Sequence, residues 1–312
     1  MKAPDAYGDR PYFPISRYYL GRFGRKVHKI TVSAANSCPH RDGKKNGKGC
    51  LFCDEWGSAG HHLAKVGTLE EQIVANREKL RNRYRADRFL VYFQPFTNTH
   101  TELRTLRENI ETALRQDQVC GVVLGTRPDC LPDEVLSLLN RCGRRDYMAV
   151  ELGVQSLYNP RLAFLNRRHT AEQSIGAIEK LHRLTNVDIG LHLMFGLPEE
   201  TEEEITETAK RINDLPVSSV KLHNLHVLSH TPLESLYREG SFQPVELHPY
   251  AQKVAAFLAH LSPNIAVQRL AAVAPRWDAL VAPRWTKERM RPTQYIIAEM
   301  KKKGIYQGMY FQ

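Results

Sequence analysis

No stretch of this 312-residue chain approaches the roughly 18 uninterrupted apolar residues that a membrane span requires. The first residues (MKAPDAYGDRPYF) lack the apolar core of a secretory signal. A soluble, cytoplasmic protein is therefore expected. Cysteine is sparse as well, and six thiols in a chain of this length do not make a disulfide scaffold. Three of them, Cys120, Cys130 and Cys142, show no paired spacing and read as buried or free thiols. Acidic residues are in deficit, 34 against 44 Lys and Arg, and the resulting formal charge of +10 favours a polyanionic partner.

What is present first declares a fold class. From residue 27 to about 228, apolar strand-like runs alternate with helical stretches, the pattern of repeated βα units with parallel strands. Six strands are expected, over residues 27–33, 88–94, 119–125, 147–154, 187–195 and 219–227. Helix starts are marked by Ser/Thr-x-x-Glu/Gln capping boxes at Thr68/Glu71, Thr99/Glu102, Thr170/Gln173 and Thr201/Glu204. Six units fall short of the eight that close a TIM barrel, so the reading is an α/β fold with a partial, open (β/α)6 barrel. The expected organisation is an arm at 1–26, a barrel core at 27–230 and an α-rich C-terminal extension at 231–312 that offers a substrate- or RNA-binding region.

The flanks carry most of the interleaved aromatic and basic residues. Residues 7–26 mix six aromatic side chains with Arg10, Arg17, Arg22, Arg25 and Lys26, which suits either phosphate contact with base stacking or an arm packed on the barrel. Val-Ala-Pro-Arg-Trp occurs twice, at 273–277 and 281–285, too short for a solenoid repeat. Each tryptophan reads more readily as an anchor, with the arginines free to face RNA. The acidic run at 199–207 reads as a solvated helix start favoured by the helix dipole.

Cys38, Cys50 and Cys53 follow the first expected strand. Three thiolates can hold three irons of a four-iron cluster and leave the fourth open, whereas four ligands usually make an electron carrier. Zinc is the competing reading, because His40, His61 or His62 could complete a Cys3His site. Structural zinc usually draws its ligands as two close pairs, and here one Cys-x-x-Cys pair follows a lone cysteine across an eleven-residue loop, which favours the cluster.

Function in parallel α/β folds gathers at the C-terminal ends of strands. Gln94, Thr97 and Asn98 follow the second strand, Thr126, Arg127 and Asp129 the third, and Glu151, Gln155 and Ser156 end the fourth. Alternation places Glu151, Gly153 and Gln155 on one face, and likewise turns His192, Lys221 and His223 away from the apolar face of their strands. Taken singly, each histidine is more often a satisfied core residue; together they suggest a polar cavity, with His192, Lys221 and His223 as catalytic candidates.

The motifs Cys38-Pro-His-Arg-Asp-Gly…Gly49-Cys-Leu-Phe-Cys53, Tyr92-Phe-Gln-Pro-Phe-Thr-Asn-Thr99, Gly125-Thr-Arg-Pro-Asp-Cys130, Glu151-Leu-Gly-Val-Gln-Ser156, Asn166-Arg-Arg-His-Thr170 and Phe195-Gly-Leu-Pro198 occur in an order that resembles radical S-adenosylmethionine (SAM) enzymes. The chain most resembles the small family related to the catalytic subunit of elongator, with more distant similarity to oxygen-independent coproporphyrinogen oxidase. Eleven residues separate the first two cysteines instead of the three of the commonest signature, a lengthening expected within the elongator-related group. Lys44, Lys45 and Lys48 in that loop can shield the cluster, touch substrate or form a solvated turn.

The resemblance implies a [4Fe-4S] cluster on Cys38, Cys50 and Cys53, with SAM chelating the open iron and yielding a 5′-deoxyadenosyl radical on one-electron reduction. It places Phe52 near the adenine, Gln94 near the methionine amino group, and Gln155, Ser156 and Arg167 toward the ribose and carboxylate; Thr126, Asp129 and Glu151 complete the candidate cofactor-binding set. His192 stands where the coproporphyrinogen oxidases carry aspartate, a departure from that family's pattern. A donor such as flavodoxin or ferredoxin and a tRNA substrate follow, with conversion of a carboxymethylaminomethyl wobble-uridine group to aminomethyl as the leading reaction. An acetyl-CoA reaction is not expected in so short a chain. The alternatives are a radical enzyme acting on a small molecule such as a tetrapyrrole, and a non-enzymatic, zinc-stabilised RNA-binding protein.

Overall fold

A computed structural model describes residues 7–35, 37–42, 49–57 and 67–311. Lys44, Lys45, Lys48, His61 and His62 lie outside the described residues. The six expected strands are present as β1 (His28–Val32), β2 (Phe89–Phe93), β3 (Val119–Thr126), β4 (Tyr147–Gln155), β5 (Asp188–Phe195) and β6 (Ser219–Asn224). The last three residues of the sixth expected run do not continue it. Val227–Leu228 form β7, which pairs antiparallel with β9 (Leu280–Ala282) in a separate two-stranded ribbon, while a seventh parallel strand, β8 (Ala266–Arg269), joins the main sheet beside β6.

The sheet runs β1-β2-β3-β4-β5-β6-β8, every pairing parallel, and β1 and β8 remain its two edges. This is the open, partial barrel that six or seven βα units produce. Helices α2 (Leu69–Tyr84), α3 (Leu103–Leu114), α4 (Asp133–Gly143), α6 (Ala171–Leu184), α7 (Glu202–Asn213) and α9 (Leu247–His260) form the outer layer, with the short α5 (Asn159–Phe164) and α8 (Pro232–Arg238) between strands and α10 (Arg291–Lys302) against α9. Phe89, Val91 and Phe93 of β2 face the helices in the main core, whereas Leu90 and Tyr92 face the barrel interior with Val123 and Ala149. Full burial of side chains of this size is worth about 1.5–3 kcal/mol each.

The N-terminal arm is a structural part of this barrel. Helix α1 (Ile15–Phe23) closes the end where the strands begin: Tyr19 packs on Leu90, Tyr92 and Ala149, and Tyr18 donates to Asp188 at the first residue of β5. Tyr7, Tyr12 and Tyr19 are buried, and the Tyr7 hydroxyl donates to the Pro263 carbonyl at 2.7 Å. These three rings are thus unavailable for base stacking, and packing accounts for them. Just before α1, the Phe13 carbonyl accepts from Val267 N at 2.7 Å and covers the β8 edge, protecting it from further strand pairing. Gln307 completes the clasp by bonding Phe13, Ser262 and Ile265.

Two of the expected capping boxes form in full, at Thr68/Glu71 and Thr170/Gln173, and at Thr201 the side chain accepts from the Glu204 N–H. Thr99/Glu102 is not a cap: α3 begins one residue after Glu102, and the Thr99 hydroxyl bonds Thr126 and the Cys130 carbonyl instead. The acidic run at the start of α7 is not wholly solvated either, since Glu200 is buried against Lys253 and Glu204 pairs with Arg161. Thr170→Ala should lower stability by about 1 kcal/mol, the usual value of an N-cap. Ser16→Ala, exposed on α1, should change it by less than about 0.5 kcal/mol. Urea unfolding of both variants measures the contrast.

Candidate functional site

The three cysteines share one cavity of about 680 Å³ at the C-terminal ends of the strands. Cys38 follows β1 and begins a turn in which its carbonyl accepts from Arg41 N, and Cys50 to Cys53 form a second turn closed by Cys53 N donating to Cys50 O. That second turn is pinned by distant chain: Leu51 N donates to Leu165 O, Asn166 Nδ2 to Gly49 O, and Leu233 N to Leu51 O. Each sulfur meets a nitrogen. His40 N lies 3.4 Å from Cys38 Sγ, Arg167 Nη1 3.3 Å from Cys50 Sγ and Arg41 Nη2 3.8 Å from Cys53 Sγ.

Nitrogen donors around three cavity-facing sulfurs suit ligands that carry negative charge, as cluster thiolates do. Among the described residues, no three His, Cys, Asp or Glu side chains converge on a point that could hold a single ion. Although His40 Nδ1 lies 3.8 Å from Cys50 Sγ, the described donors do not make the convergent Cys3His set that zinc needs. Three thiols lining one cavity fit a cluster, in which each thiolate would hold a different iron.

Of the cofactor-binding candidates, Phe52, Gln94, Thr126, Glu151, Gln155 and Arg167 line this cavity. Asp129 and Ser156 do not. The Asp129 carboxylate holds Arg127 through two bonds of 2.8 and 3.0 Å, and Arg127 in turn donates to the Arg167 carbonyl at 2.6 Å. Ser156 turns its hydroxyl to Tyr158 N, because β4 ends in a bulge where Gln155 adopts φ 69°. The Gly153 carbonyl accepts from Arg167 Nη2 at 2.6 Å, and a Cβ on Gly153 would sit only 3.0 Å from Gln155 Nε2 and 3.2 Å from Arg167 Nη2.

Deeper in the barrel, Glu151 is 2% exposed and collects three donors. Lys29 from β1 meets one oxygen; His192 Nε2 at 2.7 Å and Lys221 Nζ at 3.3 Å share the other. Lys221 also donates to the Tyr92 hydroxyl at 3.1 Å, and both lysines stand over the Tyr92 ring. Burial opposes ionisation of Glu151, but Lys221, Lys29 and His192 outweigh it and hold its carboxyl well below the usual range. Burial pushes His192 down to about 4, with Lys221 adding to the effect, so its imidazole is neutral at pH 7. Burial, reinforced by Arg269 and Lys29 against the pull of Glu151, lowers Lys221 to about 7. All three catalytic candidates, His192, Lys221 and His223, line the cavity.

The sequence reading missed Arg269, which enters from β8 and places Nη2 2.7 Å from His223 Nδ1. It also missed Arg41 and His226, cavity-lining side chains whose positions depend on loop paths, and Asn224 at the end of β6. The duplicated pentapeptide has two fates. Trp285 donates Nε1 to Val245 O and stacks near Tyr250, an anchor, whereas Trp277 is 46% exposed on the cavity lining with the Arg289 guanidinium over its ring. Arg276 is not free to face RNA, being paired with the buried Asp54 at 3.1 Å.

Comparison with known proteins agrees with this geometry. The family profile described as "Radical SAM superfamily" matches residues 33–212, and "Radical_SAM C-terminal domain" matches 217–302. YtqA of Bacillus subtilis is 32% identical over 309 residues, covering 99% of this chain and 95% of YtqA. The tRNA uridine(34) acetyltransferase of Methanocaldococcus jannaschii is 30% identical over 154 residues, 46% of this chain but only 27% of that protein. Among solved structures, Methanocaldococcus infernus Elp3 with an N-terminal deletion superposes with a TM-score of 0.68 at 17% identity, covering 90% of this chain and 64% of that one, a likeness of fold.

The lowered pKa of Lys221 gives a signed pH effect. Between about 7 in the folded protein and 10.5 in the unfolded chain, the unfolded state holds a proton that the folded state has released. Stability contributed by this site therefore rises with pH through that window. Urea unfolding from pH 6 to 9 should show wild type gaining stability relative to Lys221→Met as pH increases; a flat or opposite difference would show that Lys221 keeps its proton when buried.

Proposed function

Because this chain belongs to the radical SAM superfamily, grouped with its small elongator-related members, we propose that it modifies the side chain of a tRNA wobble uridine. Its cofactors are a [4Fe-4S] cluster and SAM. Together they supply, on one-electron reduction, a carbon-centred radical able to remove hydrogen from an unactivated carbon. The observation that carries the catalytic reading is the set of three thiols, each beside a nitrogen donor, on the wall of a cavity with a buried polar floor.

The chain's own residues divide the remaining work. Cys38, Cys50 and Cys53 would hold the cluster, with Arg167 as the group that ties Cys50 to the end of β4. Phe52, Gln94, Thr126 and Gln155 line the space between thiols and floor and would orient SAM, while Asp129 acts through Arg127 to fix the Arg167 backbone. His192 and Lys221, hydrogen-bonded to Glu151, are positioned to hold or move a proton at Nε2 and Nζ. Flavodoxin or ferredoxin would provide the electron.

The tRNA part rests on the cavity margin and on similarity to a protein named for uridine 34. Trp277 beside Arg289 offers a stacking face and a cation together, the pairing that binds an unstacked base next to phosphate. Residues 231–312, which supply both, would form the substrate-binding region. A small-molecule substrate remains the second reading, favoured by the enclosed floor beneath the thiols.

Alanine at Cys38, Cys50 or Cys53 should abolish cluster absorbance and 5′-deoxyadenosine formation in anaerobically reconstituted protein; cleavage surviving in any one variant would remove that residue from the ligand set. Trp277→Ala should weaken tRNA binding by about 1–3 kcal/mol, the range for one stacked base. Affinity for tRNA should also fall steeply with added salt as counterions are released. Binding that ignores both the substitution and salt would favour the small-molecule substrate, and comparison of tRNA nucleosides from cells with and without the gene would identify the modified position.

A further inference from the structure

Four arginines come close to the cysteine turns, and they divide by what balances their charge. Arg127 is held by the Asp129 carboxylate in two bonds, and Arg276 pairs with Asp54 at 3.1 Å. Arg41 and Arg167 have no such counter-ion, since no carboxylate among the described residues lies within ion-pair distance of either. Each instead reaches a sulfur, Arg167 that of Cys50 at 3.3 Å and Arg41 that of Cys53 at 3.8 Å. The cations left unbalanced are thus the two that touch thiols. Arg167 also belongs to the set expected to orient SAM, so its effect on the cysteines is not separable from ligand binding. Arg41 is separable.

Its backbone N–H donates to the Cys38 carbonyl in the first turn, and its guanidinium crosses to the second. There Nη1 donates to the Glu55 carbonyl at 2.8 Å, and Nη2 to the carbonyls of Cys53, at 3.3 Å, and of Asp54. The cation lies over the Phe96 ring, 5.7 Å from its centroid, and a Cβ on Gly57 would come within 2.7 Å of that ring, so glycine lets the ring pack there. Carbonyls and a ring face orient a guanidinium without cancelling its charge.

We propose that Arg41 raises the reduction potential of the cluster, as a positioning residue acting through the Cys53 sulfur. This rests on the cluster assignment above and deepens it. A [4Fe-4S]2+ core on three thiolates carries one net negative charge, and one electron from a donor of the flavodoxin or ferredoxin class makes it two. A fixed cation beside a ligand sulfur stabilises the second state more than the first. The potential rises accordingly, because it follows net charge and hydrogen bonding at the sulfurs. Arg41 also fastens two ligand-bearing turns together, and charge and shape at this position tell the two roles apart.

Full-length protein is reconstituted anaerobically, its iron and sulfide are counted, and its cluster is titrated with dithionite and viologen mediators in the absence of SAM and RNA, the reduced form being read by electron paramagnetic resonance. Arg41→Gln and Arg41→Met, with wild-type iron and sulfide, should each lower the reduction equilibrium about tenfold, a midpoint drop of about 59 mV for one electron. Arg41→Lys keeps the charge and loses the fork, and its midpoint should stay nearer wild type than the neutral variants. A midpoint unchanged in both neutral variants, or lowered equally in all three, overturns the proposal and leaves Arg41 a clamp. Should the neutral variants retain no cluster, Arg41→Lys decides: a wild-type midpoint supports the charge, and a tenfold drop overturns it. Colourless wild-type protein without iron would remove the cluster assignment itself, an outcome distinct from a coloured protein whose midpoint ignores position 41.

Discussion

Glu151 sits where four strands of the barrel converge, and its carboxylate draws Lys29 from β1, His192 from β5 and Lys221 from β6 to the strand that carries it, β4. Through Lys221 the tie extends to Tyr92 on β2. Burying one carboxylate alone would cost several kcal/mol, and burying two ammonium groups without it would cost more. The ions are therefore mutually dependent. Their presence keeps the interior from filling with stacked apolar layers of the kind that plug a closed barrel. Space above Glu151 remains for ligands, while below it Tyr19, Leu90, Val123 and Ala149 seal the end.

The same economy of few, shared contacts governs the cysteine end. The Cys50–Cys53 turn has little regular structure of its own, and its place is set by residues 117 positions away, where Asn166 holds Gly49 and Arg167 reaches Cys50. Asn166 and Arg168 flank Arg167 with positive φ of 52° and 55°, a backbone path that non-glycine residues seldom take. Arg127, itself oriented by Asp129, braces that path by bonding the Arg167 carbonyl. Arg167, which touches the Cys50 thiol, is thus fixed from both sides before any cofactor arrives.

Six of the seven parallel strands were legible because each combines a buried apolar face with a helix-forming segment after it. β8 escaped notice because Ala266–Arg269 is four residues long and half polar, with no helix period to frame it. With it went Arg269, whose importance depends entirely on lying beside Lys221. Alternation correctly grouped Glu151, Gly153 and Gln155 on the cavity and leaves Ser156 off it; only the family resemblance placed Ser156 toward the cofactor, and its hydroxyl instead accepts from Tyr158 N. Thr99 shows the reverse error: a local capping pattern was present, but Thr126 and Cys130 offered its hydroxyl better-placed partners. The identical pentapeptides differ in outcome for the same reason, because Tyr250 and Val245 exist to receive Trp285 and no such pocket receives Trp277.

Net charge was equally legible as a total and silent about where it acts. Arg17, Arg22 and Arg25 are exposed on or just after α1, at the end of the barrel opposite the cavity. The nine residues of β4, at about 3.3 Å each, separate the two ends by roughly 30 Å. At physiological salt the screening length is only about 8 Å, so the arm's cations contribute little at the cavity. Charge recognition of a substrate entering there must come from the cations of the cavity itself: Arg289 beside Trp277, Arg41 near Cys53, and Arg269 and Lys221 on the floor. An RNA long enough to reach α1 as well would gain affinity from the arm without gaining selectivity, because phosphate contacts position a chain and only the enclosed groups can read the chemistry of one base.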